Sequence, residues 1–172
     1  MRSKSDISNS AIRIFLQKVG SYYDNARGLK EFKRNKKCKA ELLRHFEGKC
    51  CYCDKEISID SVSLDHLTPM NKEYLGLHAW GNIVPCCSGC NNQKNNRNWK
   101  EFLKSKSPQK VFQKKLEAVE RFMLEMNYNP NINLFNVATN LYADVGEVAT
   151  TLINLRYSQA KEEIVAVLSK KK

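Results

Sequence analysis

The chain has 172 residues, 42% of them apolar, and a formal charge of +11. That length supports one core, or a small module with helical arms, and the apolar content excludes wholesale disorder. No apolar run approaches the ~20 residues of a membrane span, and Met1-Arg2-Ser3-Lys4-Ser5 leads into an amphipathic stretch rather than a signal peptide, so a cytoplasmic chain with no membrane partner is expected.

The charge is uneven. Residues 1–49 carry 13 Lys/Arg against 5 Asp/Glu, residues 50–100 carry 5 of each, and residues 101–172 carry 11 against 8. A basic first third suits a polyanion, because each neutralised phosphate releases condensed counterions. Charge of this size also serves solubility alone, so it gains meaning only beside a site.

In chain order, residues 1–48 read as a basic helical arm. Ala11, Ile14, Phe15, Lys18 and Tyr22 are spaced as one helical face, and a second helix is expected over 38–46 with Leu42, Leu43 and Phe46 buried. Between them the run 30–39 sets Lys33, Arg34, Lys36 and Lys37 around Phe32. It reads either as a solvated helix face or as a contact to nucleic-acid phosphates.

Residues 49–103 change character. Val62 and Leu64 alternate with polar residues, giving a strand over 61–66. Ile83 and Val84 give a second over 82–85, closed by Pro85. Residues 91–103 turn helical, with Trp99, Phe102 and Leu103 inward. Residues 104–172 form a helical C-terminal region. Ser107-Pro108 marks a helix start. Phe112, Leu116, Val119, Phe122, Met123 and Met126 hold a period near 3.6 up to a stop at 127–130. Two or three shorter helices follow, around 134–142, 148–155 and 158–168, and Lys170-Lys171-Lys172 reads as a frayed tail.

Six of the seven cysteines fall in two clusters, Cys50-Cys51-Tyr52-Cys53 and Cys86-Cys87-Ser88-Gly89-Cys90, while Cys38 stands alone on a predicted helix. Without a secretion signal this usage favours metal over disulfides. Cys50-x-x-Cys53 and Cys87-x-x-Cys90 are paired knuckles, and two such turns complete a tetrahedral sulfur site for a structural zinc ion. Cys51 and Cys86 are alternative ligands, although both spacings favour the outer choice. A thioredoxin-like redox pair fits less well, since neither motif follows a strand and opens a helix.

Between the knuckles lie Asp65-His66, then Asn82, then Asn91 and Lys94. Phosphodiester cleavage needs a nucleophile at neutral pH and positive charge at the leaving oxygen. A histidine can take a proton from water. Asp65 with an asparagine carbonyl offers oxygen ligands to a hard cation, Mg²⁺ or Mn²⁺. Neighbours on a strand face opposite ways, so one site can use both Asp65 and His66 only where the strand ends or twists. Taken alone, an Asp-His pair is usually a surface pair or a cap.

In this order the segment from Cys50 to about Leu103 resembles the HNH nuclease family, whose ββα-metal fold is a hairpin and a helix around one divalent ion. The resemblance implies an α+β, mostly helical chain with a small ββα-metal module and zinc knuckles, flanked by helices on both sides. It implies His66 as general base, Asp65 as a metal ligand, Asn82 as a bridge across the loop, and Asn91 as the second ligand, with Asn82 also a candidate for that place. Lys94, one turn beyond Asn91, matches a phosphate-contacting lysine, and Arg97 continues that face. The loop 69–81 lacks the family's frequent double glycine, and asparagine stands where histidine is common, which suits Mg²⁺ or Mn²⁺ better than zinc. His45 and His78 read as structural or solvent-facing, with His78 a candidate substrate contact.

The expected function is therefore a metal-dependent DNA endonuclease, in restriction or phage defence, acting as a homodimer or beside a partner protein of a defence complex. The rival is a non-catalytic zinc-ribbon binder of nucleic acid, or an assembly subunit, which would have no use for Asp65, His66 and Asn91 together.

Overall fold

The first helix, α1 (Lys4–Ala26), is long because its sequence offers an apolar side chain on nearly every turn and no proline. A computed structural model describes residues 4–169; the Lys170-Lys171-Lys172 run lies outside the described residues. The buried stripe of α1 is Ser8, Ile12, Leu16, Gly20 and Asp24, flanked by Phe15, Val19 and Tyr23. Ile14 and Tyr22, expected inside, are 55% and 75% exposed. The stripe is turned by about one residue because its partners choose it. An added Cβ on Gly20 would stand 2.4 Å from the carbonyl oxygen of His78, so only this face lets a distant loop approach the helix backbone.

The basic run does not continue as helix. Residues 27–35 form a connection that buries Phe32, and Asn35 caps α2 (Lys36–His45) by accepting from Cys38 N at 2.9 Å. Leu42 and Leu43 are the buried positions of α2, as their spacing predicts. The first knuckle follows, and then β1 (Ser63–His66) pairs antiparallel with β2 (Ile83–Cys86), with Asp65 opposite Val84 and His66 opposite Ile83. β1 is two residues shorter than predicted, starting at Ser63 rather than 61, and β2 has the predicted length but is shifted by one residue. All four residues of β2 are buried, so it reads as an unbroken apolar run rather than an alternation.

The helix expected over 91–103 is two helices. α3 (Ser88–Lys94) ends where Asn95 takes φ +47°, and α4 (Trp99–Lys106) starts again on Asn98, whose side chain accepts from Lys100 N and Glu101 N. Asparagine tolerates the left-handed conformation and caps helices well, and the stretch 95–98 has three of them. The break turns α4 so that Trp99, Phe102 and Leu103 all enter the core.

α5 (Gln109–Glu125) begins with Pro108 itself at the cap position, so Ser107 makes no cap bond; Asn127 at φ +48° follows its end. The last 35 residues of the described chain form one helix, α6 (Phe135–Ser169), where two or three shorter ones were expected. Gly146 is the only helix breaker inside it, and one glycine costs a helix interior about 1 kcal/mol, too little to end it. The N-terminal part of α6 packs on α1, whereas every side chain from Thr151 to Ile164 is exposed. No helix among the described residues is long and apolar enough to cross a membrane.

Two apolar clusters result. One joins Leu42, Tyr52, Ile83, Phe102, Leu103 and Phe122 around the hairpin. The other joins Ile12 and Leu16 of α1 to Leu77, Ala79, Tyr128 and Ala138. The protein is α+β and mostly helical, with a two-stranded sheet held between helices.

Candidate active site

The knuckles come together because the hairpin brings their ends together. Cys51 N donates to Pro85 O at 3.0 Å, tying the first knuckle to β2, and Cys87 is the N-cap of α3, so the second knuckle, contrary to expectation, does follow a strand and open a helix. The sulfurs of Cys50, Cys53, Cys87 and Cys90 all lie within 4.8 Å of one another, and Cys53 Sγ is 3.7 Å from Cys87 Sγ. A tetrahedron with zinc–sulfur bonds of about 2.3 Å has edges of about 3.8 Å. The four thiols therefore fit a zinc ion, and with four protein ligands no position is left for substrate. Burial raises the Cys87 thiol, but the Cys90 N–H and the neighbouring sulfurs outweigh it and hold Cys87 down at about 7. Cys51 and Cys86, the alternative ligands, are buried outside this cluster. Cys86 Sγ instead faces Ser63 O at 3.6 Å across the hairpin.

Asp65 is buried, whereas His66, the last residue of β1, is half-buried. Asp65 points inward. Tyr52 Oη donates to its Oδ2 at 2.6 Å, and Lys94 Nζ lies 3.1 Å from Oδ2 and 3.4 Å from Oδ1. Lys94 Nζ also donates to His66 O at 2.7 Å. Burial raises the Asp65 pKa, while Lys94 and the Tyr52 hydroxyl oppose it. Lys94 was expected at a substrate phosphate but has no exposed surface at all. The reason is helical phase: on α3, Cys90 and Lys94 are the two positions facing the hairpin, and Asn91 between them is half-buried.

This arrangement bears on the cation expected at Asp65 and Asn91. The donors are oxygens, which suit a hard cation. The Lys94 ammonium against both carboxylate oxygens shows that Asp65 accepts a positive charge where it stands. A divalent cation there competes with Lys94, since two cations cannot share one buried carboxylate without repulsion.

His66 ends β1. From there Leu67 N donates to Asn82 O, Thr68 N donates to Asn82 Oδ1, and Asn82 Nδ2 donates to Thr68 O and Leu77 O, all between 2.8 and 3.1 Å. Asn82 is thus a fully buried cross-brace that closes the loop 67–82 on itself. Inside that loop His78 folds back, and its Nδ1 lies 3.0 Å from His66 Nε2. Sequence reading left His78 without a partner. Nothing local could have signalled it, because the pairing depends on how the loop 67–82 closes.

Asp24 is a second residue that sequence reading missed. Fully buried at the end of α1, it accepts from Phe32 N at 2.8 Å, from Trp80 N at 3.1 Å and from Arg27 Nη2 at 2.6 Å. It ties the basic connection and the histidine loop to one carboxylate. Arg34, Lys36, Lys37 and Arg97 are exposed. Lys33 pairs with Glu31 at 2.7 Å, and Arg97 lies over the Phe102 ring at 5.2 Å.

Burial, then the charges of His78, Arg34 and Lys94, lower His66 to about 3; burial and Arg34 lower His78 to about 4. Both imidazoles are therefore neutral near pH 7. The unfolded chain, with ordinary histidine values near 6.5, binds more protons than the fold below that pH, so stability falls as pH drops from about 6.5 towards 4. Between about pH 7.5 and about pH 6 the expected loss is roughly 1 kcal/mol per histidine. Melting curves at the two pH values measure it. Because the thiolates of a bound zinc ion would also protonate in acid, His78→Phe is the control: its stability should depend less steeply on pH than the wild type's, and equal slopes would contradict the assignment.

No curated protein matches the chain. Over residues 50–97, from the first zinc-fitting cysteine to the arginine beyond α3, the chain matches the family model for HNH endonuclease.

Proposed function

We propose that the protein is a DNA endonuclease in which His66 is the general base. The observation that carries this reading is the place of His66: a half-buried imidazole at the end of β1, inside the segment that matches the nuclease family model, with Arg34 and Lys94 among the charges acting on it. A neutral imidazole can accept a proton, and a cationic surround suits a phosphodiester. The phosphate's negative charge raises the His66 pKa on binding and so strengthens the base where it is needed.

In the reaction, water attacks phosphorus in line and passes a proton to His66. The bond from phosphorus to the 3′-oxygen breaks, and solvent protonates that oxygen, leaving 5′-phosphate and 3′-hydroxyl ends. Asp65 and Asn91 are the residues that would hold Mg²⁺ or Mn²⁺, which would supply Lewis-acid charge at the scissile phosphate. Lys33, Arg34, Lys36, Lys37 and Arg97 hold the backbone of the duplex, and such contacts make binding weaken steeply with salt.

Supercoiled plasmid is the test. The wild type should convert it to nicked or linear forms with Mg²⁺ or Mn²⁺ and not with EDTA. His66→Ala should lose cutting by roughly 10²–10⁴-fold, the usual worth of a general base, while still retarding DNA on a gel. Undiminished cutting by that variant would sink the mechanism. One observation favours a second reading, a zinc-stapled nucleic-acid binder without catalysis: the Asp65 carboxylate is sealed by Tyr52 and Lys94. Binding without cutting under every metal condition would establish it.

A further inference from the structure

The hydrogen bond that engages the ring of His66 runs between its Nε2 and Nδ1 of His78. One proton lies on that line, and its owner decides what the rest of the His66 ring can do. If His66 Nε2 carries it, Nδ1 of His66 has a free lone pair. If His78 Nδ1 carries it, the remaining nitrogen of His66 is an N–H and can take no proton. His66 is half-buried rather than enclosed in the core.

We propose that His78 is a positioning residue, whose Nδ1 accepts the Nε2–H of His66 and so holds His66 in the tautomer that presents Nδ1 to water. The inference rests on the reading of His66 as the base. In a neutral imidazole one nitrogen's hydrogen bond fixes which nitrogen is left as acceptor.

His78 is built to hold its place. Its backbone N–H points at Leu16 O, 3.4 Å away on α1, and its carbonyl occupies the space that Gly20 leaves by having no Cβ. Its ring stands edge-on to Phe32 at 5.3 Å between centroids. Two residues on, Trp80 N is held by Asp24 at 3.1 Å, and one residue before, Leu77 O is held by Asn82 at 2.8 Å. The loop is therefore pinned on both sides of His78, and one of its anchors is the N-terminal helix. That helix thus reaches the base through Gly20, Asp24 and His78, although it lies outside the segment that matches the nuclease family. A hydrophobic residue at position 78 would fill the same space and leave the His66 ring without its acceptor.

Two measurements on the whole protein test this. The chain has three histidines, so long-range ¹H–¹⁵N correlation spectra of protein labelled with ¹⁵N-histidine resolve the tautomer of each. His66 should be the Nε2–H tautomer, and His78 likewise. The second measurement is steady-state cleavage by His78→Phe and His78→Asn, with melting curves to confirm folding. Phenylalanine keeps the ring packing and loses the acceptor, so kcat should fall about 10- to 100-fold with KM little changed, and His66 should lose its single tautomer. Asparagine places a carbonyl oxygen near the former Nδ1 and should keep kcat within about threefold of wild type. A wild-type His66 found as the Nδ1–H tautomer overturns the proposal even if neither variant folds. So does His78→Phe with unchanged kcat. Wild-type protein that cuts no DNA while His66 is the Nε2–H tautomer overturns the nuclease reading, and the positioning role with it, but not the hydrogen bond.

Discussion

Replacing Cys53 by serine is expected to cost the protein its zinc and, with it, the fold of the central segment. The four sulfurs within 4.8 Å join the turn before β1 to the turn after β2, and the sheet between them has only two strands of four residues. Such a hairpin is marginal by itself in water. Structural zinc bound by thiolates contributes an apparent ~10–16 kcal/mol to small domains, more than most whole domains have to lose. Zinc content by mass spectrometry should fall from one ion per chain to none, and the cooperative melting transition should weaken or vanish. Cys51→Ala is the informative control. Its sulfur is buried in the core and outside the cluster, so that variant should lose some packing but retain its zinc. Loss of zinc from Cys51→Ala with retention in Cys53→Ser would overturn the ligand assignment.

The second large effect is expected at Lys94. Lys94→Met keeps the length and bulk of the side chain but leaves the Asp65 carboxylate buried with Tyr52 as its remaining donor side chain. Breaking a buried ion pair from one side costs about 3–5 kcal/mol, because an uncompensated charge stays in the interior. In a chain of this size that is a fall of roughly 6–20 °C in melting temperature. Lys94→Met combined with Asp65→Asn should recover much of the loss, since it removes both charges, and a double variant as unstable as the single would show that the cost lies in packing instead. Millimolar Mg²⁺ should raise the melting temperature of Lys94→Met more than that of the wild type, where the ammonium already neutralises Asp65. Equal shifts in the two proteins would exclude Asp65 as a cation ligand.

Both predictions turn on groups whose positions were legible in the sequence to very different degrees. The zinc-fitting cluster could be read directly. A CxxC spacing aims two thiolates at one point by local turn geometry, whatever surrounds it, and the structure brings together the four cysteines that the spacing selects. The hairpin and the stop after α5 were legible for the same reason: β-branched runs and the 127–130 stretch act within a few residues, although β2 runs on past Pro85, which was expected to close it, to Cys86. The helix break at Asn95 and the continuity of α6 were not read correctly. There, weak local preferences of asparagine and glycine compete with packing over a whole helix, and their sum is small either way.

At the site, Asp65, His66, Asn82, Asn91 and Lys94 were visible as an ordered set of residue types, and residues 50–97 match the nuclease family model. What each side chain touches was not visible. Sequence alone determined which chemical groups the central segment possesses and that four sulfurs converge, because both follow from identity and short spacing. Tertiary structure decided that Lys94 turns inward to Asp65, that Asp24 anchors Phe32 and Trp80, and that His78 meets His66. Those contacts close over 8 to 56 residues of chain. Over such distances, the phase of a helix and the path of a loop are set by which faces pack together, and no short pattern of residues encodes that.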